Sequence, residues 1–284
     1  MIPYRMNPLG ISVNENIPLT LTAEQASSTV TLNATGSPTV SGLNYRLGTS
    51  GLWLPYTIGT TIPLANVGDC VQFWNSADTL SSSMSNYVQF AMTGQIAGSG
   101  ILESLINWQK TIPDYCFWNL FDTCGALVAA PDSMGKYLGL RSFSQTYRMT
   151  GILSFPRMAM ETFNGGSELN SMCFRCYSMS GEVVLPVRTR TNNCYMSAFS
   201  QTAITSVKIG LESLTYYDLF NAFYGCSSLS RIEVNFTSWP DASSNSTENW
   251  VYGVAASGTF IKPSALPEEY GVNRIPTGWT VVNK

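Results

Sequence analysis

Cys173 and Cys176 form a Cys-x-x-Cys motif, the spacing in this chain that comes nearest to a reactive site. Such a pair binds zinc or does thiol redox chemistry when a second pair, a histidine or a thioredoxin-like context accompanies it. The chain contains no histidine and neither of the other features. Cys173 also takes the place of Phe143 in an internal repeat, which is an apolar position. We therefore expect both cysteines to be buried in the core and predict no metal site and no cofactor.

A pair of carboxylates is the other possible catalytic site, because two Asp or Glu side chains suffice for glycoside hydrolysis. The absence of histidine removes the usual general base and the Ser–His and Cys–His nucleophile pairs. The acidic candidates lie in turn-like contexts around Pro113 and Pro131 or in the Pro-Glu-Glu segment of the tail, and we expect solvated turn or cap residues at each: Asp114, Asp122, Asp132, Glu268 and Glu269. A polysaccharide depolymerase stays as an alternative, and it predicts two carboxylates about 5–9.5 Å apart in a groove.

Two further features favour binding over catalysis. Trp53 follows a hairpin turn and is the candidate ligand contact among the seven tryptophans, whereas Trp74, Trp250 and Trp279 are expected to pack in the interior. The N-terminal arm, residues 1–12, combines apolar and aromatic side chains with an arginine. It is expected to dock into a partner subunit, with packing along its own sheet as the alternative. Its candidate anchoring residues are Ile2, Tyr4, Arg5, Met6 and Asn7.

Composition excludes several function classes. The 284 residues carry 15 Lys and Arg against 18 Asp and Glu, which gives a net charge of −3. A mildly acidic surface has no electrostatic attraction for phosphate backbones, so we expect no nucleic-acid partner. No run of 18 apolar residues occurs, so no membrane insertion is expected either. The first residues lack the apolar segment of a signal peptide, and with an odd count of seven cysteines this predicts reduced thiols.

The elements that must position these residues are β-strands. Short runs with alternating apolar residues, separated by Gly, Asn and Ser turns, fill the chain up to about residue 110. About seven such strands without a helix predict an antiparallel β-sandwich over residues 13–110.

The second part of the chain, residues 111–284, is repetitive. Residues 143–156 align with 173–186 at an offset of 30, Phe-Ser-Gln-Thr occurs at 143–146 and 199–202, and 120–127 aligns with 222–229. Units that cannot bury an apolar stripe alone do so by stacking, which predicts a right-handed solenoid of roughly five turns. The strands expected in it are Ala126–Ala130, Ile152–Phe155, Glu182–Leu185, Ser206–Ile209 and Arg231–Val234.

Several segments resemble the BspA-type leucine-rich-repeat family. They are CFWNLFDTCGALVAAPD (116–132), FSQTYRMTGILSFP (143–156) and NAFYGCSSLSRIEV (221–234), and the tail from about 239 is similar to the family's C-terminal cap. Residues 45–74 resemble the β-sandwich module that often precedes these repeats. The resemblance implies a mainly β fold, with an N-terminal antiparallel β-sandwich followed by a leucine-rich-repeat solenoid, and it implies adhesion or assembly without catalysis.

Proteins of this kind occur on gut bacteria and in the virions of their phages. Because no export signal is seen, the sequence favours a virion protein: a non-enzymatic head or tail fibre or decoration component. Its expected partners are other virion proteins, bound through the arm and the β-sandwich, and a host surface glycan or protein. A homotrimer is expected by analogy with fibres alone. A bacterial surface adhesin of the same family is the alternative.

Overall fold

The structure, a computed structural model, describes residues 17–38, 40–185 and 192–284, together with the backbone of Arg5–Met6 and Ser12–Val13. Almost all regular structure in these residues is β. The helices found there are two short 3₁₀ segments, Leu102–Ile106 and Ala242–Ser244. The prediction of a mainly β chain is therefore confirmed.

The strands of the N-terminal part are antiparallel and belong to two larger sheets and one small pair. One sheet contains β10-β3-β8-β5-β6 in that order, the second contains β7-β4-β9, and β1 pairs with β2. All seven runs with alternating apolar residues coincide with or overlap one of these strands. The strands are β1 Arg5–Met6, β2 Ser12–Val13, β3 Leu19–Ala23, β4 Ser28–Thr35, β5 Leu43–Leu47, β6 Leu54–Pro55, β7 Thr61–Leu64, β8 Cys70–Asn75, β9 Tyr87–Thr93 and β10 Ile96–Ser99.

Alternation along these strands places the apolar side chains on one face, because successive side chains of a strand point to opposite faces. Leu19 and Leu21 of β3 and Phe73 of β8 are fully buried on that face. On the other face Thr20 and Gln72 are buried as well and hydrogen-bond to each other. The two larger sheets meet where Phe73 packs edge-to-face on Phe90 of β9, with ring centroids 5.3 Å apart. Each such aromatic contact adds about 0.5–1.5 kcal/mol to the burial of its area.

The C-terminal part is built from parallel strands stacked like a β-solenoid. Strands β15 to β19 form a five-stranded sheet in sequence order, and β11, β13 and β14 form a second sheet. Every pair within these two sheets is parallel, so the chain completes one coil between each strand and the next. The strands are β11 Thr111–Ile112, β12 Leu127–Ala129, β13 Tyr137–Leu138, β14 Thr162–Phe163, β15 Ser180–Leu185, β16 Ala203–Ile209, β17 Arg231–Val234, β18 Thr259–Lys262 and β19 Thr280–Asn283.

The two parts are joined by hydrogen bonds across the expected boundary at residue 110. Strand β10 pairs antiparallel with β3 on one side and parallel with β12 on the other. The Phe90 N–H donates to the Leu120 carbonyl over 2.8 Å, and the Cys124 thiol donates back to the Phe90 carbonyl over 2.8 Å. The last strands of the N-terminal part thus occupy the position of a first coil, and they cover the end of the solenoid.

Between the strands, each coil contains a run of four-residue turns. Successive backbone N–H groups donate alternately to the next coil and to their own coil. For example, the Phe117 N–H donates to the Ser142 carbonyl of the next coil, whereas the Trp118 N–H donates to the Tyr115 carbonyl of its own coil. Every fourth residue has a left-handed backbone, a conformation that glycine and asparagine tolerate best. These positions fall in six successive coils: Tyr115, Asn119 and Thr123; Arg141, Gln145 and Met149; Ser167, Ser171 and Arg175; Asn193, Ser197 and Gln201; Tyr217, Asn221 and Gly225; Asn245, Asn249 and Gly253.

Two predicted alignments are wrong by one four-residue turn: that of residues 143–156 with 173–186, and that of 143–146 with 199–202. The hydrogen bonds Tyr147 N–H to Met172 and Cys173 N–H to Ala198 place Cys173 directly between Tyr147 and Phe199, so its equivalent is Tyr147 and not Phe143. Because each coil itself repeats every four residues, a shift of one turn can still align like with like, and the sequence identities favour the offset of 30 over the structural offset of 26. The alignment of Phe121 with Phe223 is confirmed, since an unbroken series of these bonds connects them.

Four of the five strands predicted for the solenoid are present, and Ile152–Phe155 is not a strand. Its Leu153 nevertheless donates to Val128 and accepts from Ser180, so it bridges the coils before and after it. Pro156 follows at once and has no N–H to extend the ladder.

An aromatic column runs along the inside of the coils. Phe121 lies parallel to Phe90 and to Tyr147, with ring centroids 5.1 and 5.5 Å apart, and Phe199 lies parallel to Phe223 at 5.8 Å. Cys173 fills the position between Tyr147 and Phe199. The aromatic column is defined as Phe90, Phe121, Tyr147, Cys173, Phe199, Phe223 and the closing Trp250.

Coil-to-coil contact is so close that some positions accept only glycine. A Cβ atom on Gly165 would lie 2.1 Å from the Leu140 backbone nitrogen, whereas one on Gly125 would have no neighbour within 4 Å. We expect Gly165→Ala to lower the free energy of unfolding by about 1–3 kcal/mol, because overpacking forces the backbone to shift. Gly125→Ala is the matched control and should leave stability within about 0.5 kcal/mol. Urea denaturation checks both, and equal stability of the two variants would contradict this packing.

Candidate binding surface around Trp53

Trp53 is presented by the hairpin that joins β5 and β6. The turn between these strands is closed by glycines, and Gly48 has a left-handed φ of 69°. At Gly51 a Cβ would lie 2.8 Å from the Leu47 carbonyl oxygen, so a larger residue would push the strands apart. Tyr45 pairs with Leu54 in the ladder, which brings the next residues, Arg46 and Trp53, opposite each other.

A chain of polar side chains holds the arginine over the indole. The Arg46 guanidinium lies 4.6 Å from the centroid of the Trp53 ring, within the range of a cation–π contact. Its Nε donates to Gln72 over 2.8 Å, and the Gln72 amide donates to the Thr20 hydroxyl over 2.9 Å. The position of Arg46 is therefore set from β3, two strands away. Trp74 of β8 completes the group, with its ring 6.3 Å from that of Trp53.

Apolar side chains around this pair project into solvent. Leu52 is 86% exposed, Leu47 57% and Leu54 49%. We define Leu47, Leu52, Trp53 and Leu54 as the hairpin patch. Exposed leucines grouped beside a tryptophan and an arginine are typical of protein contact sites, where aromatic and arginine side chains supply most of the binding energy.

The tryptophans predicted to pack in the interior behave in two ways. Trp250 is fully buried and Trp279 nearly so, with its indole N–H donating to Ala255 over 2.8 Å, which confirms the prediction for both. Trp74 is half-buried and lies against Trp53. It is thus part of the same surface as Trp53.

The N-terminal arm is only partly within the described residues. Arg5–Met6 forms a two-residue strand that pairs antiparallel with Ser12–Val13. The anchoring candidates Ile2, Tyr4 and Asn7 lie outside the described residues.

The Cys-x-x-Cys pair lies in the core, as predicted. Cys173 and Cys176 are fully buried, and burial raises the pKa of the Cys173 thiol well above its ordinary value, which disfavours a reactive thiolate. The Cys176 thiol donates to the Tyr147 carbonyl over 2.9 Å. All seven cysteines are free thiols, and the described residues contain no cluster of His, Cys, Asp and Glu that could hold a metal.

The carboxylates of the first repeats are held separately by neighbouring coils. Asp122 was expected to be solvated, and this is wrong: it is 5% exposed, and Arg148 of the next coil binds both of its oxygens at 2.7 and 2.5 Å. This hydrogen bonding also raises the pKa of Arg148. The Arg157 guanidinium donates twice to one oxygen of Asp132, and the Arg157 backbone N–H donates to the other. Asp114 accepts the Leu140 N–H.

The two glutamates of the tail are exposed, as predicted. Glu269 binds Arg274 at 2.9 Å, and Glu268 lies 3.9 Å from the Lys262 ammonium. These contacts hold the carboxylates as ion pairs on the surface of the cap.

Sequence reasoning missed a buried carboxyl at the junction of the two parts. Glu103 is fully buried, and burial raises its pKa. It accepts hydrogen bonds from the Ser133 hydroxyl at 2.5 Å, the Met134 N–H at 3.0 Å and the Gly135 N–H at 2.9 Å. The signal was present in the sequence, because this glutamate stands in the apolar run Ile-Leu-Glu-Ser-Leu-Ile. Its role is to bind the backbone of the next coil.

The chain matches no protein-family model, no curated protein and no solved structure. Among the described residues no helix is long and apolar enough to cross a bilayer.

Proposed function

We propose that this chain is a non-enzymatic structural and adhesion component of a bacteriophage virion, such as a fibre or decoration protein of the head or tail. It binds neighbouring virion proteins through its N-terminal part and presents the solenoid to a host surface glycan or protein. The resemblance to BspA-type repeats and the stacked parallel strands support this proposal. In the same proposal the two N-terminal sheets form a β-sandwich, the solenoid is of the leucine-rich-repeat type, and the assembly is a homotrimer.

The hairpin patch is the single observation that carries the proposal. Its leucines are exposed at one end of the β5–β6 hairpin, next to a tryptophan whose arginine partner is held in place from two strands away. A contact site fixed in this way loses little side-chain entropy when a partner binds. Strands β3, β10 and β12 are joined by continuous hydrogen bonding. A partner bound at the hairpin patch would therefore also hold the solenoid in position.

Incorporation into particles tests the proposal. Mass spectrometry of purified particles from a phage that carries the gene should detect the full chain. Trp53→Ala combined with Leu52→Ser should reduce the incorporated amount at least about tenfold, because the loss of a central aromatic contact costs about 2 kcal/mol or more. Circular dichroism of the isolated variant should be unchanged, since the side chains removed lie at the surface.

Leu153→Ser is the matched control, because Leu153 is an equally apolar side chain, 59% exposed, on the solenoid. It should leave incorporation unchanged. Particles that lack the wild-type chain would refute the virion assignment, and finding it on the bacterial surface instead would favour the adhesin. Full incorporation of the Trp53 and Leu52 variant would exclude the hairpin patch as the attachment site.

A further inference from the structure

A polar groove opens at the C-terminal end of the solenoid, far in sequence from the hairpin patch. Its volume is about 500 Å³, within the range of roughly 300–1,000 Å³ typical of small-molecule sites. Two segments form it, the last run of four-residue turns and the loop that leads to the final strand. The lining residues are Pro240, Asp241, Ala242, Asn245, Ser246, Thr247, Glu248, Asn249, Asn273 and Arg274.

One side of the groove is a fixed framework around Arg274. Its Nε donates to Glu269 over 2.9 Å, and its Nη1 donates to the Thr247 hydroxyl over 3.2 Å. The guanidinium also lies 5.3 Å from the ring centroid of Trp239, whose indole N–H donates to the Pro267 carbonyl. Across the groove, the Asn273 side-chain oxygen accepts the Asn249 N–H over 2.7 Å, which joins the loop to the last turns.

Other polar groups of the lining are left available. The Asp241 carboxylate and the Asn249 side-chain amide form no hydrogen bond with the described residues, and neither does the buried hydroxyl of Ser246. Such an unsatisfied hydroxyl beside a cavity is a site for an external partner, because buried polar groups otherwise find one in the protein. At the rim, the Tyr217 hydroxyl donates to the Asn245 side chain over 3.1 Å, and the Asn245 amide donates to Glu248 over 3.3 Å.

The chemistry of these groups selects the ligand. Carboxylate oxygens accept from hydroxyl groups, and side-chain amides both donate and accept, so adjacent hydroxyls of one molecule can satisfy both kinds. The lining contains two carboxylates, Asp241 and Glu248, and a single guanidinium, Arg274, which is already paired with Glu269; this balance of charge disfavours an anion. Tyr217 is 36% exposed, and its hydroxyl is hydrogen-bonded to Asn245 of the lining, which makes it the aromatic residue joined to these polar groups.

We infer that this groove binds a neutral oligosaccharide, with Asp241 and Glu248 accepting from its hydroxyl groups and Asn249 and Asn273 donating to its oxygens. Tyr217 packs against a sugar ring at the rim. The inference names the site at which a host glycan would bind and the class of that glycan. It rests on the host-glycan part of the proposed function and on no other part of it. It assigns binding and no bond cleavage to the groove.

Saturation-transfer NMR on the purified full chain tests the inference without any particle, so its result is separate from that of the incorporation experiment. The probes are cellotetraose, maltotetraose and triacetylchitotriose, with sialyllactose as the anionic comparison. We expect transfer to at least one neutral probe and weaker transfer to sialyllactose. Asp241→Asn combined with Glu248→Gln should raise the dissociation constant of that probe at least about tenfold. The reason is that hydrogen bonds to charged acceptors are stronger than those to neutral ones.

Glu182→Gln removes a carboxylate of the strand face, where Glu182 pairs with Lys208 at 3.2 Å, and is the matched control. It should leave the affinity unchanged. The inference is overturned if none of the three neutral probes receives saturation, if sialyllactose binds better than they do, or if the control weakens binding as much as the groove variant. Release of shorter sugars from cellotetraose or maltotetraose would overturn it too, in favour of a depolymerase.

Discussion

Phe199→Ala is expected to lower the free energy of unfolding by about 3–5 kcal/mol, as usual for removal of a buried phenylalanine from a packed core. Phe199 is fully buried, lies parallel to Phe223 at 5.8 Å and packs edge-to-face on Phe155 at 5.3 Å. Its neighbour in the aromatic column on the other side is the small Cys173. Because Cys173 is too small to reach across, no neighbour in the aromatic column on that side can fill the cavity that the removal of the Phe199 ring would leave.

The arrangement of the coils also predicts how the variant unfolds. In a solenoid each coil contacts only its neighbours, so stability is a sum of nearest-neighbour terms. Weakening the interface between the coils of Cys173 and Phe199 should separate one cooperative urea transition into two. Circular dichroism and tryptophan fluorescence measure this together, because tryptophans lie on both sides of the interface and each transition changes the fluorescence of its own group. Trp53, Trp74, Trp108 and Trp118 precede the interface, and Trp239, Trp250 and Trp279 follow it.

Cys173→Ala is the control in the same column. It removes one sulfur atom from the adjacent coil, and we expect a loss of about 1 kcal/mol and a single transition. If Phe199→Ala were no less stable than Cys173→Ala, the aromatic column would not be the main contact between the coils.

The strand content was predictable because period-two alternation is a local signal. In β4, for example, Val30 and Leu32 alternate with threonines, and the structure buries the two apolar residues completely. The stacked C-terminal part was also predictable, since recurring Phe, Cys and Leu positions require neighbours to bury them. Both inferences rest on patterns that lie within one strand or one repeat.

The four-residue turns were not predictable in this way. Arg141, Gln145 and Met149 adopt left-handed backbones, which local preference does not favour for these side chains. The hydrogen bonds to the adjacent coil impose this conformation, for example Gln145 N–H to Asn170 and Met149 N–H to Phe174. Tertiary contacts thus override local preference, and the sequence identities of residues 143–156 point to an offset of 30, one turn longer than the structural offset of 26.

The contrast between local signals and contacts from the adjacent coil also explains which site residues were predicted and which were not. Trp53 could be chosen because a glycine turn precedes it directly in the sequence. The burial of Asp122 depends on Arg148, which is 26 residues away and reaches it only when the coils are in the correct register. The burial of a polar residue in these coils can be predicted once the equivalent residues in the preceding and following coils are known.

Glu103→Leu is expected to lower the free energy of unfolding by about 3 kcal/mol, because it leaves the buried N–H groups of Met134 and Gly135 without an acceptor. Glu103→Gln is the matched variant. Its side-chain oxygen can still accept from Gly135 and from the Ser133 hydroxyl, so only the bond from Met134 is lost, at a cost of about 1 kcal/mol. Urea denaturation monitored by circular dichroism measures both. Equal stability of the Leu and Gln variants would contradict the role of Glu103 as a backbone acceptor.

The pH dependence of the same pair tests the ionisation of Glu103. Burial raises its pKa in the folded chain above the ordinary glutamate value of about 4.3. A raised folded pKa means that the folded state holds the proton more tightly, so this contribution to stability is complete below the ordinary pKa and is lost as the pH rises through the raised one. Glutamine does not titrate. The stability of the wild type relative to Glu103→Gln should therefore decrease steadily as the pH rises above the ordinary glutamate pKa of about 4.3. A difference that stays constant over this range, or one that grows in favour of the wild type, would show that the hydrogen bonds from residues 133–135 outweigh burial and keep the carboxylate ionised.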